Sequence, residues 1–286
     1  MSDRVLVTIT DGIADVVFNR ADKRTALDNA QFSASAEAGE ELKSTPGLRA
    51  VVLSGDGASF CAGLDFSSFA AMAGGGGAEG GGDGNSDATS DTPARPRADG
   101  NPGSMKEGRI THLGLQVCWV WQELPVPVIA AVHGHALGGG LQIALGADIR
   151  IVHPDTKMSV REVYWGLVPD MTGTYILNQL TRPDIAKELT FTARIFDGRE
   201  GFDLGLVTRL SDDPKADAMA LAREIAGLSP GAVRGAKELI NRQLRDGAAD
   251  QFAAERQTIG AQIGTPNQVE AVMAGLGNRP PVYQDV

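Results

Sequence analysis

One stretch constrains this chain more than any other: Val128-Ile129-Ala130-Ala131-Val132-His133-Gly134-His135-Ala136-Leu137-Gly138-Gly139-Gly140. It opens with five apolar residues in succession, with no alternating polar position, which predicts a strand buried on both faces. A glycine cluster follows and opens a helix. The first N–H groups of a helix have no acceptor inside it and carry positive potential. Glycines at that point remove the Cβ atoms that would hold a ligand away from the main chain. A tight strand-to-helix turn needs one such residue, and three in a row point to a backbone donor site.

A second stretch has the same form. Ser54-Gly55-Asp56-Gly57-Ala58-Ser59-Phe60-Cys61-Ala62-Gly63-Leu64-Asp65 leaves a predicted buried strand over residues 49–54 and enters a turn of small residues. Alone it says little. Paired with the first, it suggests two loops that each supply one N–H to an oxyanion hole. Around them, residues 5–9 and 13–18 read as a hairpin through Asp11-Gly12. A helix is predicted over 29–43, strands over 126–132 and 147–152, and helices over 216–226, 230–245 and 268–276. Strands alternating with helices define an α/β protein. The expected organisation is a core over residues 1–200 and a helical region over 201–286. Residues 73–103, rich in glycine and then in Ser, Thr, Asp and Pro, are expected to form a flexible insertion, either a lid or an inert spacer.

Charge narrows the ligand classes. The chain has 26 basic and 36 acidic residues, a formal net charge of −10, and no basic run that reverses this locally. Nucleic acid is not an expected partner. Any anionic ligand must be held by a small basic cluster or by backbone dipoles. The two cysteines, Cys61 and Cys118, make no disulfide framework. No apolar segment is long enough to span a bilayer, and the N-terminus has no secretory pattern. A cytoplasmic protein with no membrane partner is the expectation.

The paired glycine loops resemble those of the enoyl-CoA hydratase/isomerase family, the crotonases. Phe18-Asn19-Arg20-Ala21-Asp22-Lys23-Arg24-Thr25-Ala26-Leu27 is similar to that family's N-terminal coenzyme A segment. Phe60 to Asp65 and His133 to Gly140 are similar to its two oxyanion loops. Arg194-Ile195-Phe196-Asp197, Gly205-Leu206-Val207 and Ser229-Pro230 resemble its later landmarks. The resemblance implies a spiral of repeated ββα units with a helical C-terminal region that assembles a homotrimer or homohexamer. It implies oxyanion donors at the N–H groups of Leu64 and Gly139. It also implies coenzyme A contacts at Arg20, Lys23, Arg24, Ala26, Ala62, Gly63, Asp65 and Gly138. No resident cofactor or metal is implied, since coenzyme A belongs to the substrate.

The chemistry then turns on carboxylates. Family hydratases carry one glutamate two residues after the glycine triplet and a second farther on. Here the first position is Gln142, whose amide cannot exchange a proton at neutral pH and serves only to orient water or substrate. The second is retained as Glu162. Eight residues later comes Asp170, a spacing similar to the dienoyl-CoA isomerase branch, in which the pair serves opposite ends of a conjugated system. That requires two carboxyls with separated pKa values. The resemblance thus implies double-bond isomerisation or hydration of a fatty acyl-CoA. A non-catalytic acyl-CoA-binding protein and a thioester hydrolase are the alternatives.

Other motifs are set aside. Gly227-Leu228-Ser229-Pro230-Gly231 matches a serine-hydrolase elbow but follows a helical pattern rather than a strand, so Ser229 reads as a helix cap. His133 and His135 lack the third ligand a metal needs. Leu115, Trp119 and Trp121 fit an apolar helix face.

Overall fold

The computed structural model describes residues 3–65, 102–245 and 247–284. The predicted insertion over 73–103 therefore lies outside the described residues, apart from its last two positions.

Strands β1 (Val5–Thr10) and β2 (Ile13–Phe18) pair antiparallel around Asp11 and Gly12. Both turn residues have positive φ, 52° and 77°, which is the two-residue turn whose twist matches a hairpin. Strands β3 (Ala50–Gly55), β4 (Val128–Val132), β6 (Ile149–Val152) and β8 (Arg209–Leu210) extend the sheet in parallel, in the order β1-β2-β3-β4-β6-β8. Alternate residues of the central strands face two separate layers. Val51, Leu53, Val128, Ala130 and Val132 join the main core, with α1 (Asn29–Lys43) and α2 (Leu113–Glu123). Ala50, Val52, Ile129 and Ala131 face α7 (Pro214–Ala226) through its Ala218 and Ala222. Cover on both faces is what an unbroken apolar run requires. Both β8 and α7 belong to this layer, so the sheet core continues past residue 200 rather than ending there.

A second tier forms at the C-terminal ends of the parallel strands. Short strands β5 (His135–Leu137) and β7 (Lys157–Ser159) pair in parallel, and single bridges join Cys61 to Ala136 and Leu27 to Leu64. Neither short strand is legible in the sequence, because each has three residues and takes its register from its neighbour. Helix α3 (Gly139–Leu145) leaves β5 directly, followed by α4 (Gly173–Leu180), α5 (Pro183–Thr192) and α6 (Gly198–Asp203). Beyond α7 come α8 (Pro230–Arg245), α9 (Ala248–Gln262) and α10 (Pro266–Leu276). Pro230 is the first residue of α8, and the exposed Ser229 accepts the Val233 N–H through its carbonyl at 3.0 Å. With helix on both sides, there is no elbow at Ser229. Trp119 and Trp121 are buried as expected, Trp119 edge-on to Phe252 of α9.

Candidate active site

Three loops leave the sheet at one edge and are tied to one another by their main chains. Cys61 N–H donates to His135 O at 2.9 Å, Leu137 N–H to Cys61 O at 3.2 Å, and Leu27 N–H to Gly63 O at 2.8 Å. Contact is close enough to demand glycine. A Cβ on Gly140 would lie 2.2 Å from Cys61 O, and one on Gly63, at φ 91°, would lie 2.6 Å from Leu137 O. The glycine triplet therefore serves loop-to-loop contact as well as access to the main chain.

A cavity of about 620 Å³ opens against these loops. Ala62, Gly63, Leu64, Gly138 and Gly139 line it together. Gly139 is the first residue of α3 and Leu64 lies in the Leu27 bridge. Neither N–H has an acceptor among the described residues. Two uncommitted donors on one cavity wall can polarise a carbonyl. Apolar side chains fill much of the remaining wall, including Leu27, Phe32, Trp165, Leu167, Met171 and Ile259. Ile259 comes from α9, so the helical C-terminal region contributes to the same cavity.

Glu162 and Asp170 both line this cavity. Glu162 opens a short 3-10 turn, Glu162–Trp165. Its Oε1 accepts from Gln142 Nε2 at 2.7 Å, while Oε2 is closed to solvent with no hydrogen-bond partner. Burial pushes its carboxyl up to about 7, against the opposing pull of hydrogen bonds, Gln142's among them. Asp170 is pushed up to about 8, first by burial and then by the charges of Glu162 and Glu255. Because the charge of one acid raises the other, the cavity favours one ionised and one protonated carboxyl, the pair that proton abstraction at one end and delivery at the other requires.

Gln142 is buried and does not line the cavity. Its carbonyl accepts the N–H groups of Met171 and Gly173, at 3.0 and 2.7 Å. Two donors on one oxygen fix the amide's orientation and leave its NH₂ facing Glu162. The side chain therefore orients Glu162 and the start of α4, not a bound water or substrate.

The basic trio divides. Lys23 and Arg24 line the cavity, together with Ala26, Asp65 and the unpredicted His135 and Arg161. Arg20 does not line it: its guanidinium is paired with Asp65 at 2.8 Å and Asp28 at 3.3 Å, and donates to Ala26 O at 2.7 Å. Arg20 holds the shape of the loop from inside. His133 Nε2 meets Gly57 O and His135 Nδ1 meets Ser59 Oγ, each at 2.9 Å. Among the described residues, no group of three or more His, Cys, Asp or Glu is placed to hold a metal.

The residue missed altogether is Glu255. It is 3% exposed on α9, and its carboxylate accepts from Thr172 N–H at 3.3 Å and from the Thr174 hydroxyl. Nothing local in the sequence marks it, since it sits in a helical run without a clear apolar face and gains its neighbours only through folding.

Paired backbone donors, buried carboxyls and a basic rim at the C-terminal edge of a parallel sheet define an α/β enzyme for an anionic carbonyl compound. The chain belongs to the enoyl-CoA hydratase/isomerase family, whose profile matches residues 13–283. It is an enzyme of that family, acting on acyl-CoA thioesters. It is 30% identical over 280 residues to the mitochondrial methylglutaconyl-CoA hydratase of Mus musculus, covering 96% of this chain and 80% of that protein. It is also 30% identical to the short-chain-enoyl-CoA hydratase of Clostridium acetobutylicum, covering 93% of this chain and 92% of that one. A crystal structure of an enoyl-CoA hydratase/isomerase from Pseudoalteromonas atlantica superposes with a TM-score of 0.80 at 23% identity, over 98% of this chain and 100% of the other. This supports the expected crotonase spiral.

Proposed function

We propose that the enzyme shifts the double bonds of a 3,5-dienoyl-CoA to the 2,4 positions. The thioester oxygen accepts from the N–H groups of Leu64 and Gly139, which stabilise the dienolate. Ionised Glu162 removes a proton from C2. The electron pair spreads from the thioester oxygen to C6, and protonated Asp170 delivers a proton there. The product carries conjugated double bonds at C2 and C4, and the acids regain their starting states by exchanging a proton with solvent or each other. Only protons move, so no resident cofactor enters the scheme. Lys23 and Arg24 contact the coenzyme A phosphates, with Ala26, Ala62, Gly63, Asp65 and Gly138 along the rest of that moiety.

The observation that carries this reading is that Glu162 and Asp170 line the cavity while neutral Gln142 stands behind it. A two-glutamate hydratase would need an acid at that third place. The second reading, hydration of a 2-enoyl-CoA, is favoured by the names of the mouse and Clostridium relatives. Incubating the protein with 3,5-dienoyl-CoA and with 2-enoyl-CoA, followed by ultraviolet absorbance, separates the two. Isomerisation well above hydration is expected; the reverse ranking would give the chain to the hydratases. Release of free thiol would instead mark a hydrolase, and tight binding without turnover a carrier.

We read the protein as cytoplasmic and as a homotrimer or homohexamer assembled through residues 201–286. Support for assembly comes from the apolar side chains that α8 and α10 leave in solvent, Leu239 and Ile240 at 70% and 71% exposure and Met273 at 53%. No helix among the described residues is long and apolar enough to cross a membrane.

A further inference from the structure

The turn that carries Asp170 is gripped from two opposite sides. From the core, Gln142 accepts the N–H groups of Met171 and Gly173. From the C-terminal region, Glu255 accepts the Thr172 N–H and the Thr174 hydroxyl. Gln251, one helical turn before Glu255, donates to the same hydroxyl oxygen at 2.7 Å, so the Thr174 proton must point at Glu255. Between the grips, Thr172 is held at φ 70°, a left-handed conformation that a β-branched residue adopts only when its surroundings impose it. Four successive residues after Asp170 are therefore fixed by side chains from two distant parts of the chain.

We infer that Glu255 is a positioning residue for Asp170, locking the turn that presents it and setting the charge environment of its carboxyl. The inference rests on the reading of Asp170 as the proton donor. A neutral acceptor would serve to hold the turn, yet the side chain present is an acid buried to 3% exposure, where an ionised carboxylate is costly. The charged groups acting on Asp170 are Glu162 and Glu255, and burial is the largest effect on it. Nearby Cys118 is a buried thiol held well above its ordinary range, and so neutral. The adjacent Arg256 points its guanidinium at Met105 Sδ, 3.6 Å away. Glu255 is itself pushed up, chiefly by burial, and once ionised its charge raises Asp170. The C-terminal helix thus opposes loss of that proton.

Two variants separate this role from simple support. Glu255→Gln keeps an acceptor for the turn and removes the charge. Thr174→Val removes the hydroxyl contact and keeps the ionisable carboxyl. The titration of the Asp170 carboxyl is read on the substrate-free protein by infrared difference spectroscopy, with Asp170→Asn assigning the band, and the basic limb of kcat/KM is read alongside. Glu255→Gln is expected to move both to lower pH by about one unit, with Thr174→Val moving them by much less, since the hydroxyl only assists ionisation of Glu255. An unmoved titration in Glu255→Gln, or an equal shift in Thr174→Val, would overturn the inference. Because the spectroscopic titration needs no turnover, it stands even if the protein acts on neither thioester; absence of turnover bears on the functional reading alone.

Discussion

Residues 128–146 and 160–174 build adjoining walls of one cavity by opposite means. The first segment is held by its own main chain: a strand paired on both sides, a glycine turn bonded to the neighbouring loop, and a helix starting at Gly139. The second is an irregular run whose shape is imposed by side chains arriving from elsewhere, Gln142 and Glu255 foremost. Backbone donors need only rigidity, because an N–H has no protonation state to adjust. Carboxyls need an adjustable environment, and side chains from separate elements provide it.

The sharpest way to break this comparison is to disable one wall without disturbing the other. Glu162→Gln should lower kcat about a thousandfold with unchanged folding, since the amide can still pack against Gln142. Retained turnover would show that the carboxyl wall is not where protons move. Gly140→Ala attacks the other wall. Its new Cβ would have to be accommodated against Cys61 O, forcing the two loops apart. A fall in kcat/KM of roughly a hundredfold is expected from misplaced donors, with overpacking costing about 1–3 kcal/mol in thermal or denaturant melts. A variant as active and stable as the parent would show that loop contact does not set the donor geometry.

How far each wall can be read from sequence follows the same division. The strand, the glycine triplet and the start of α3 are visible at Val128–Gly140 because their constraints are local: burial, φ freedom and close approach. Glu162 and Asp170 could be named only through family spacing. Glu255 could not be named at all, because it comes from 85 residues beyond Asp170 and its contact with Thr172 exists only after the C-terminal helices dock. Arg20 shows the converse. Its sequence neighbourhood is a cationic cluster, and only the positions of Asp28 and Asp65 reveal that its charge is already used inside the fold.

The raised carboxyls sharpen the comparison through pH. With Glu162 near 7 and Asp170 near 8, kcat/KM for isomerisation should climb through the lower value as the base ionises and decline through the upper one as the acid is lost. Stability runs the other way from activity. Asp170 in the folded protein keeps its proton far above the ordinary value of 3.8, so its contribution to stability is complete below about 4 and is lost as pH rises through about 8. Asp170→Asn should therefore be nearly inactive yet more stable than the parent at pH values above 8, by about 1–3 kcal/mol, with the gain shrinking as pH falls and vanishing only below about 4. Equal melting temperatures for both proteins across that range would place Asp170 in an ordinary solvated setting.

The smallest effect belongs to the rim, where charge is exposed and screening strong. Lys23→Ala and Arg24→Ala should each raise KM severalfold while leaving kcat near the parent value, since an exposed pair with a phosphate contributes only about 0.2–1 kcal/mol. Added salt should reproduce part of the change in the parent and little of it in the double variant. Arg20→Ala should behave differently, because it would leave Asp28 and Asp65 without their shared cation and Ala26 O without its donor. Its expected signature is a lower melting temperature with a salt response of KM like the parent's. If Arg20→Ala instead weakened binding in the salt-dependent manner of the other two, the side chain would have to leave its internal pairs when substrate binds, and the loop after β2 would be a moving part rather than a fixed one.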